Sequence, residues 1–162
     1  LGYGGGIKKG LENVSSEFVL LNHADGQFDA YSFLSSNVED IPSAVDSIMP
    51  QRLNRPFIES LSSSVLRLIL SLLKLRKIQD FNGQPKIFRT SKINNISELP
   101  NDFCIDYSLF RIFEKESLLL PVLQRDRKLG NSSWKDKYLN WVVIFCRYIA
   151  HALFFDKNKF RK

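Results

Sequence analysis

Apolar and polar positions divide this chain into compact apolar strands, amphipathic helices and polar loops. Glu17-Phe-Val-Leu-Leu21 is a continuous apolar run of strand length, and a polar cluster at residues 22–27 follows its C-terminal end. Ahead of it, Gly2, Gly4, Gly5, Gly6 and Gly10 punctuate the opening, and residues 7–13 read as a short helix. Residues 29–58 are mixed: a helix can start near Ser32, and Pro42, Pro50 and Pro56 signal turns. The clearest pattern predicts a helix over 59–77. Ser60, Ser63, Ser64, Arg67, Ser71 and Lys74 form one polar stripe, and Leu61, Val65, Leu66, Leu68, Ile69, Leu72, Leu73 and Leu75 cover most of the rest. Periodicity alone fits a core helix; the wide apolar face flanked by Arg67, Lys74, Arg76 and Lys77 also suits a membrane interface.

Beyond it, residues 86–88 read as a short strand and 102–116 as a helix with Phe103, Tyr107, Phe110 and Phe113 on one side. Residues 117–123 read as a strand, 124–137 as a charged loop and 138–155 as a final helix. Strands and helices interleaved in this order predict an α/β fold.

A chain of 162 residues with 44% hydrophobic content is enough for one domain with a real core. Cys104 and Cys146 are far apart and form no CxxC pair, so they read as small hydrophobes in a reduced, intracellular chain. The formal charge of +6 is uneven. Nine bases lie between Gln51 and Lys92 against Glu59 and Asp80, and four more fall in the last seven residues. Such clusters suit phosphates, and they also suit a solvated charged surface. The longest apolar run, 138–155, has the length of a membrane span but contains Asn140, Arg147 and His151, which are costly at a bilayer centre. No signal peptide is visible. The chain opens on Leu1 inside a glycine-rich stretch, as a fragment would.

The sharpest local chemistry is Asn22-His23-Ala24-Asp25-Gly26-Gln27. A carboxylate with an imidazole or amide at a strand end can hold one divalent cation, and such a cation stabilises a departing diphosphate. An Asp-Gly turn is the plainer reading of the same residues.

Five segments in order resemble the family-2 glycosyltransferases, and among them the dolichol- and polyprenyl-phosphate sugar transferases. They are Leu1-Gly-Tyr-Gly-Gly-Gly-Ile-Lys-Lys-Gly-Leu-Glu12 with the strand and Ala24-Asp-Gly-Gln27; Asp80-Phe-Asn-Gly-Gln-Pro-Lys-Ile-Phe88; Leu99-Pro-Asn-Asp-Phe-Cys-Ile-Asp106; Pro121-Val122; and Arg127-Lys-Leu-Gly-Asn-Ser-Ser-Trp134. Arg52 and Arg55 fall just ahead of the interfacial-looking helix.

The resemblance implies a GT-A (nucleotide-diphospho-sugar transferase) fold, incomplete at the N-terminus, over residues 1–137. Residues 138–162 would form a basic, membrane-proximal amphipathic helix and tail. It also implies an inverting hexosyl transfer, assisted by Mg²⁺ or Mn²⁺, from a nucleotide-sugar donor to a polyprenyl or dolichyl phosphate. The enzyme would be membrane-associated, at the cytoplasmic face. Asp25 matches the second carboxylate of the metal motif and Gln27 the glutamine after it, and with His23 at the position of the first carboxylate these three are the metal candidates. Arg52, Arg55 and Arg127 become candidates for acceptor phosphate or donor diphosphate, since guanidinium pairs two phosphate oxygens at once.

A phosphate acceptor is already ionised and needs little proton removal, so no base stands out. Asp80 is the preferred functional carboxylate and is grouped with Asp25 as catalytic. Asp102 and Asp106 are further candidates, Asp102 with the plainer role of helix N-cap.

Two departures matter. His23 stands where the family has its first carboxylate, and imidazole suits Mn²⁺ or Zn²⁺ better than Mg²⁺. The family's first strand and the acidic residue of its nucleotide pocket would precede Leu1, so this chain alone is expected to lack competence. The alternatives are a family-2 transferase with a glycan or other lipid acceptor, and a degenerate, non-catalytic, membrane-bound module. A nucleic-acid partner is not expected, since aromatics are not interleaved with the bases.

Overall fold

The computed structural model describes residues 2–37, 44–125 and 138–161. The chain is mixed α/β, built on an open four-stranded mixed sheet. In chain order the elements are α1 (Gly2–Glu12), β1 (Phe18–Leu21), α2 (Ala30–Asn37), β2 (Ser47–Leu53), α3 (Phe57–Lys74), β3 (Lys86–Arg89), α4 (Cys104–Phe113), β4 (Ser117–Leu123) and α5 (Tyr138–Phe154). Short 3₁₀ turns at Thr90–Lys92, Ile96–Glu98 and Lys157–Lys159 connect them.

The strand order is β1-β3-β2-β4. β3 is antiparallel to both β1 and β2, whereas β2 and β4 run parallel, with Ser47 opposite Ser117 and Leu53 opposite Leu123. Alternation along the strands splits the apolar side chains between two faces. Phe88 and Met49 join the main core, under α1, α3, α4 and α5, and their neighbours Ile87 and Ile48 join Phe28, Phe33 and Val122 on the other face. Helix α4 is the centre of the main core: every residue from Cys104 to Phe113 except Arg111 is buried.

Three elements differ from the sequence expectation. Helix α1 starts at Gly2, not near residue 7. Glycine is a poor helix former, but here a packing requirement selects it. A Cβ on Gly4 would stand 2.4 Å from the Pro100 carbonyl oxygen. That close approach lets the Asn101 carbonyl accept from the N–H groups of Gly4 and Gly5, at 2.9 and 3.3 Å, satisfying donors of the first turn.

The turn-rich stretch contains a strand, β2, with Pro50 inside it. Proline is tolerated there because β3 pairs only with Ser47 and Ile48, so the β3 side of Pro50 has no ladder to break. The Pro50 ring instead packs on Gly83, where a Cβ would stand 2.6 Å from Pro50 Cγ.

The predicted 59–77 helix runs Phe57–Lys74, entered from Pro56 and closed by Leu75 in the left-handed conformation. Its orientation is the more informative difference. The serine and arginine stripe is half-buried toward the protein, and Leu66 and Leu70 are buried. The row Phe57, Ile58, Leu61, Val65, Leu68, Leu72 and Leu75 is exposed, Phe57 at 78% and Leu72 at 66%.

Helix α5 packs on the domain. Tyr148 and Ala152 are buried, and the single Tyr148 hydroxyl proton is shared between Asn82 Oδ1 and the Phe103 carbonyl, 3.0 and 2.9 Å from the phenol oxygen. Its other side exposes Val142, Val143, Leu153 and Phe154. Among the described residues, no helix is long and apolar enough to cross a membrane.

Candidate functional site

The directions of the strands gather the candidate residues at one edge of the sheet. Residues 22–27 leave the C-terminal end of β1, Arg52 and Arg55 lie at or just past that of β2, and Gln124 and Arg125 follow β4. Because β3 is antiparallel, its N-terminal end, approached through Asp80 and Gln84, comes to the same edge. In open α/β sheets, ligands bind outside the carboxyl ends of the strands. The segments are also tied together. Arg125 N–H donates to the Gln27 carbonyl at 2.9 Å, and Gln124 N–H donates to the Leu53 carbonyl at 3.3 Å.

On the β1 side, the Asp25-Gly26 turn folds back so that Asp25 Oδ1 accepts from the Gln27 backbone N–H at 3.1 Å. Asp25 Oδ2 faces His23 Nδ1 at 4.0 Å. The Gln27 side chain turns to the Arg125 carbonyl, 3.4 Å away. Metal fit can be judged from this donor set. Imidazole plus carboxylate suits Mn²⁺ or Zn²⁺. Among the described residues no group of three or more His, Cys, Asp or Glu is poised for a metal, so a cation here would need phosphate oxygens or water to complete its shell.

On the β2 side, Asp80 holds Arg52 through two bonds of 2.7 Å, to Nε and Nη2, and Arg55 Nη1 lies 3.9 Å from the same carboxylate. Burial works against ionising Asp80, but the Arg52 hydrogen bonds and charge, helped by Arg55 and Arg67, hold it below the usual carboxylate range. Both of its oxygens are engaged by Arg52, which makes it an anchor for guanidinium groups. Arg55 donates to the Glu59 carbonyl and Ser63 Oγ at 3.0 and 2.7 Å. Burial first, then the Arg52 charge, pull Arg55 down to about 10 despite Asp80. Arg67 donates to Ser64 Oγ at 2.9 Å.

Three guanidinium groups thus gather about one paired carboxylate, Asp80, while the Glu59 carboxylate acts on Arg55 only through space and accepts from Gln124 Nε2 at 3.3 Å. The Nε atoms of Arg55 and Arg67 are buried without a hydrogen-bond partner among the described residues. A half-buried surplus of cationic donors is a place for an anion. Arg127 and the turn at residues 130–133 lie outside the described residues.

Sequence reading missed the buried chain of polar groups behind His23. Lys86 opens β3 fully buried and pairs with Asp106, in the middle of α4. The other Asp106 oxygen accepts from the Tyr3 hydroxyl at 2.9 Å, and the same Tyr3 oxygen lies 3.1 Å from His23 Nε2. Burial first, then the Asp106 charge, raise the Tyr3 phenol far above the ordinary tyrosine range. Burial also lowers Lys86, with Asp106 opposing. The signal was present: Lys86 lies among Pro85, Ile87 and Phe88, and Asp106 among Ile105, Tyr107 and Leu109. Opposite charges inside two apolar segments are placed where each needs the other. Gln84 is fully buried beside them, and its side chain hydrogen-bonds toward the Tyr3 phenol, opposing the rise that burial and Asp106 cause.

Among known proteins, no family model and no curated protein matches this chain.

Proposed function

We propose that this chain is part of a glycosyltransferase with a GT-A fold that moves a sugar from a nucleotide diphosphate to a lipid phosphate at a membrane surface. The observation that carries the reading is the convergence, at the carboxyl edge of the sheet, of the His23/Asp25 turn and the Arg52, Arg55 and Arg67 cluster. A transferase of this kind must hold two phosphorylated partners together, and the two sides of the edge supply one station for each. The cationic side suits the acceptor phosphate, which would attack the anomeric carbon as the nucleoside diphosphate leaves with the electrons of the broken C–O bond. The His23/Asp25 side suits the donor diphosphate. A cation bound there would supply charge neutralisation of that leaving group. In this reading Asp80 orients Arg52 and Arg55, and the attacking phosphate, already ionised, needs no proton acceptor.

The exposed apolar row of α3 supports the membrane part of the reading. It begins two residues after Arg55 and ends among Lys74, Arg76 and Lys77, so apolar contact with acyl chains and cationic contact with headgroups share one helix.

The test uses the chain extended by the N-terminal strand and acidic residue that the resemblance implies: transfer of labelled sugar from nucleotide-sugar donors to polyprenyl phosphate in liposomes, with Mn²⁺ or Mg²⁺, alongside calorimetric binding of nucleoside diphosphates. Metal-dependent nucleotide binding that Asp25→Ala abolishes, with transfer that Arg55→Ala abolishes, is the expected result. Transfer to a glycan but not to the lipid phosphate would replace the acceptor class. If that extended chain folds and binds no nucleotide with either metal, the enzymatic reading fails. That result would favour the non-catalytic module, to which His23 in place of a carboxylate already points.

A further inference from the structure

We propose that the C-terminal ends of α3 and α5 form one membrane anchor, in which Leu75 and Phe154 enter the acyl region of an anionic bilayer and Lys74 and Lys77 meet its headgroups. The inference rests on the membrane part of the reading above and adds to it a place of insertion and a second helix.

The first observation is a leucine where a helix ordinarily closes on glycine. Leu75 ends α3 at φ 49° and ψ 39°, in the left-handed region. Its N–H and that of Arg76 close the helix on the carbonyls of Leu72 and Ser71, at 3.3 and 3.1 Å. An L-residue in this region crowds its Cβ against the backbone, so glycine is the usual choice there. The fold gives the leucine nothing in return, because its side chain is 93% exposed. A bulky side chain held in an unfavourable backbone conformation and left in water serves a contact outside the fold.

The second is that another large apolar side chain comes to the same end. Phe154 is the last residue of α5 and is 86% exposed. Glu114 joins the two helix ends through one oxygen. Its Oε1 accepts from Arg76 Nη1 at 2.7 Å, one residue after Leu75, and from Lys157 Nζ at 2.9 Å, three residues after Phe154. That carboxylate is itself buried, so the tie is fixed in the body of the protein.

The third is charge. Residues 60–79 carry four bases and no acid, and three of those bases, Lys74, Arg76 and Lys77, flank Leu75. Arg76 is engaged with Glu114 and holds the end in place. An apolar tip ringed by cations matches the acyl and headgroup layers of an anionic bilayer. The same ring of charge disfavours a second copy of this tip as the occupant.

The test is sedimentation of the full chain with vesicles of phosphatidylcholine and phosphatidylserine, or of phosphatidylcholine alone, without nucleotide or polyprenyl phosphate. Binding should need the anionic lipid. Leu75→Gly should weaken it about 10-fold or more, while Tm stays equal or rises, because glycine suits the left-handed cap. Phe154→Ser should weaken binding by a similar factor at unchanged Tm, and Lys77→Gln by about 5-fold. Undiminished binding by Leu75→Gly, a Tm that falls in that variant, or equal binding to neutral vesicles would overturn the proposal. So would self-association of the chain that the same substitutions abolish. With neither donor nor acceptor lipid present, failure here leaves sugar transfer free to succeed, and failure of transfer leaves this binding intact.

Discussion

Replacing Asp106 by Asn keeps the shape of the α4 side chain and removes its charge. Lys86 is fully buried and its ion-pair partner is Asp106, so the variant leaves an ammonium in the core with only an amide oxygen to meet it. Removing one member of a buried pair typically costs about 3–5 kcal/mol. For a chain of 162 residues, 1 kcal/mol corresponds to about 2–4 °C in Tm, so Asp106→Asn should lower Tm by roughly 6–20 °C.

The pH dependence separates this cause from simple mispacking. Burial lowers the Lys86 pKa even in the wild type, and losing Asp106 lowers it further. Between that depressed value and the ordinary lysine value of about 10.4, the unfolded chain binds more protons than the folded one. Stability therefore rises with pH across that window, and the deficit of Asp106→Asn should shrink as Lys86 sheds its proton. Thermal unfolding followed by circular dichroism from pH 6 to 10 reads both effects. A Tm loss under about 3 °C, or a deficit that does not change with pH, would refute the reasoning. The paired replacement Lys86→Met with Asp106→Leu should recover much of the loss, since it removes both charges.

Glutamate at both Leu68 and Leu72, on the exposed side of α3, should leave Tm nearly unchanged while weakening binding to anionic liposomes about 10-fold or more in a sedimentation assay. Unchanged liposome binding would remove the membrane role of that helix. Two glycines of α1 should respond with opposite signs. Gly6→Ala meets nothing within 4 Å and should stabilise by up to about 1 kcal/mol, whereas Gly4→Ala drives its methyl into the Pro100 carbonyl and should cost about 1–3 kcal/mol in denaturant unfolding. Equal effects would contradict the docking of α1. Burial lowers the His151 pKa. The unfolded chain therefore binds more protons as pH falls below about 6.5, and the His151 contribution to stability should decline there and level off below the depressed folded value. His151→Gln should flatten that part of the stability–pH curve, and an unchanged slope would contradict it.

The elements with the strongest local signals were legible before the fold was known. The run Phe18–Leu21, the α3 periodicity, the aromatic face of α4 and the final helix all stand near where the pattern puts them. Each carries its own period and its own breakers. Strand β2 was hidden because Pro50 is a turn signal in the sequence and becomes acceptable only where a neighbouring strand has ended. The start of α1 was hidden because glycine has no helical preference, and what selects it is a carbonyl nearly a hundred residues away.

The same division runs through the candidate site. The 22–27 cluster announced cation chemistry by its residue types, and the family resemblance added Gln27, Arg52, Arg55 and Arg127 as candidates, with Asp80 chosen for its place after the basic helix. The sequence could not say that Asp80 is bound to Arg52, or that α3 turns its serines inward and its leucines outward. Nor could it say that Tyr3, Asp106 and Lys86 form one buried chain behind His23. Those are facts of partnership. A periodic pattern shows that a helix has two faces, but which face meets water depends on what the rest of the chain packs against it. A buried charge likewise shows only that a partner is needed, and only the folded chain brings Asp106 to Lys86.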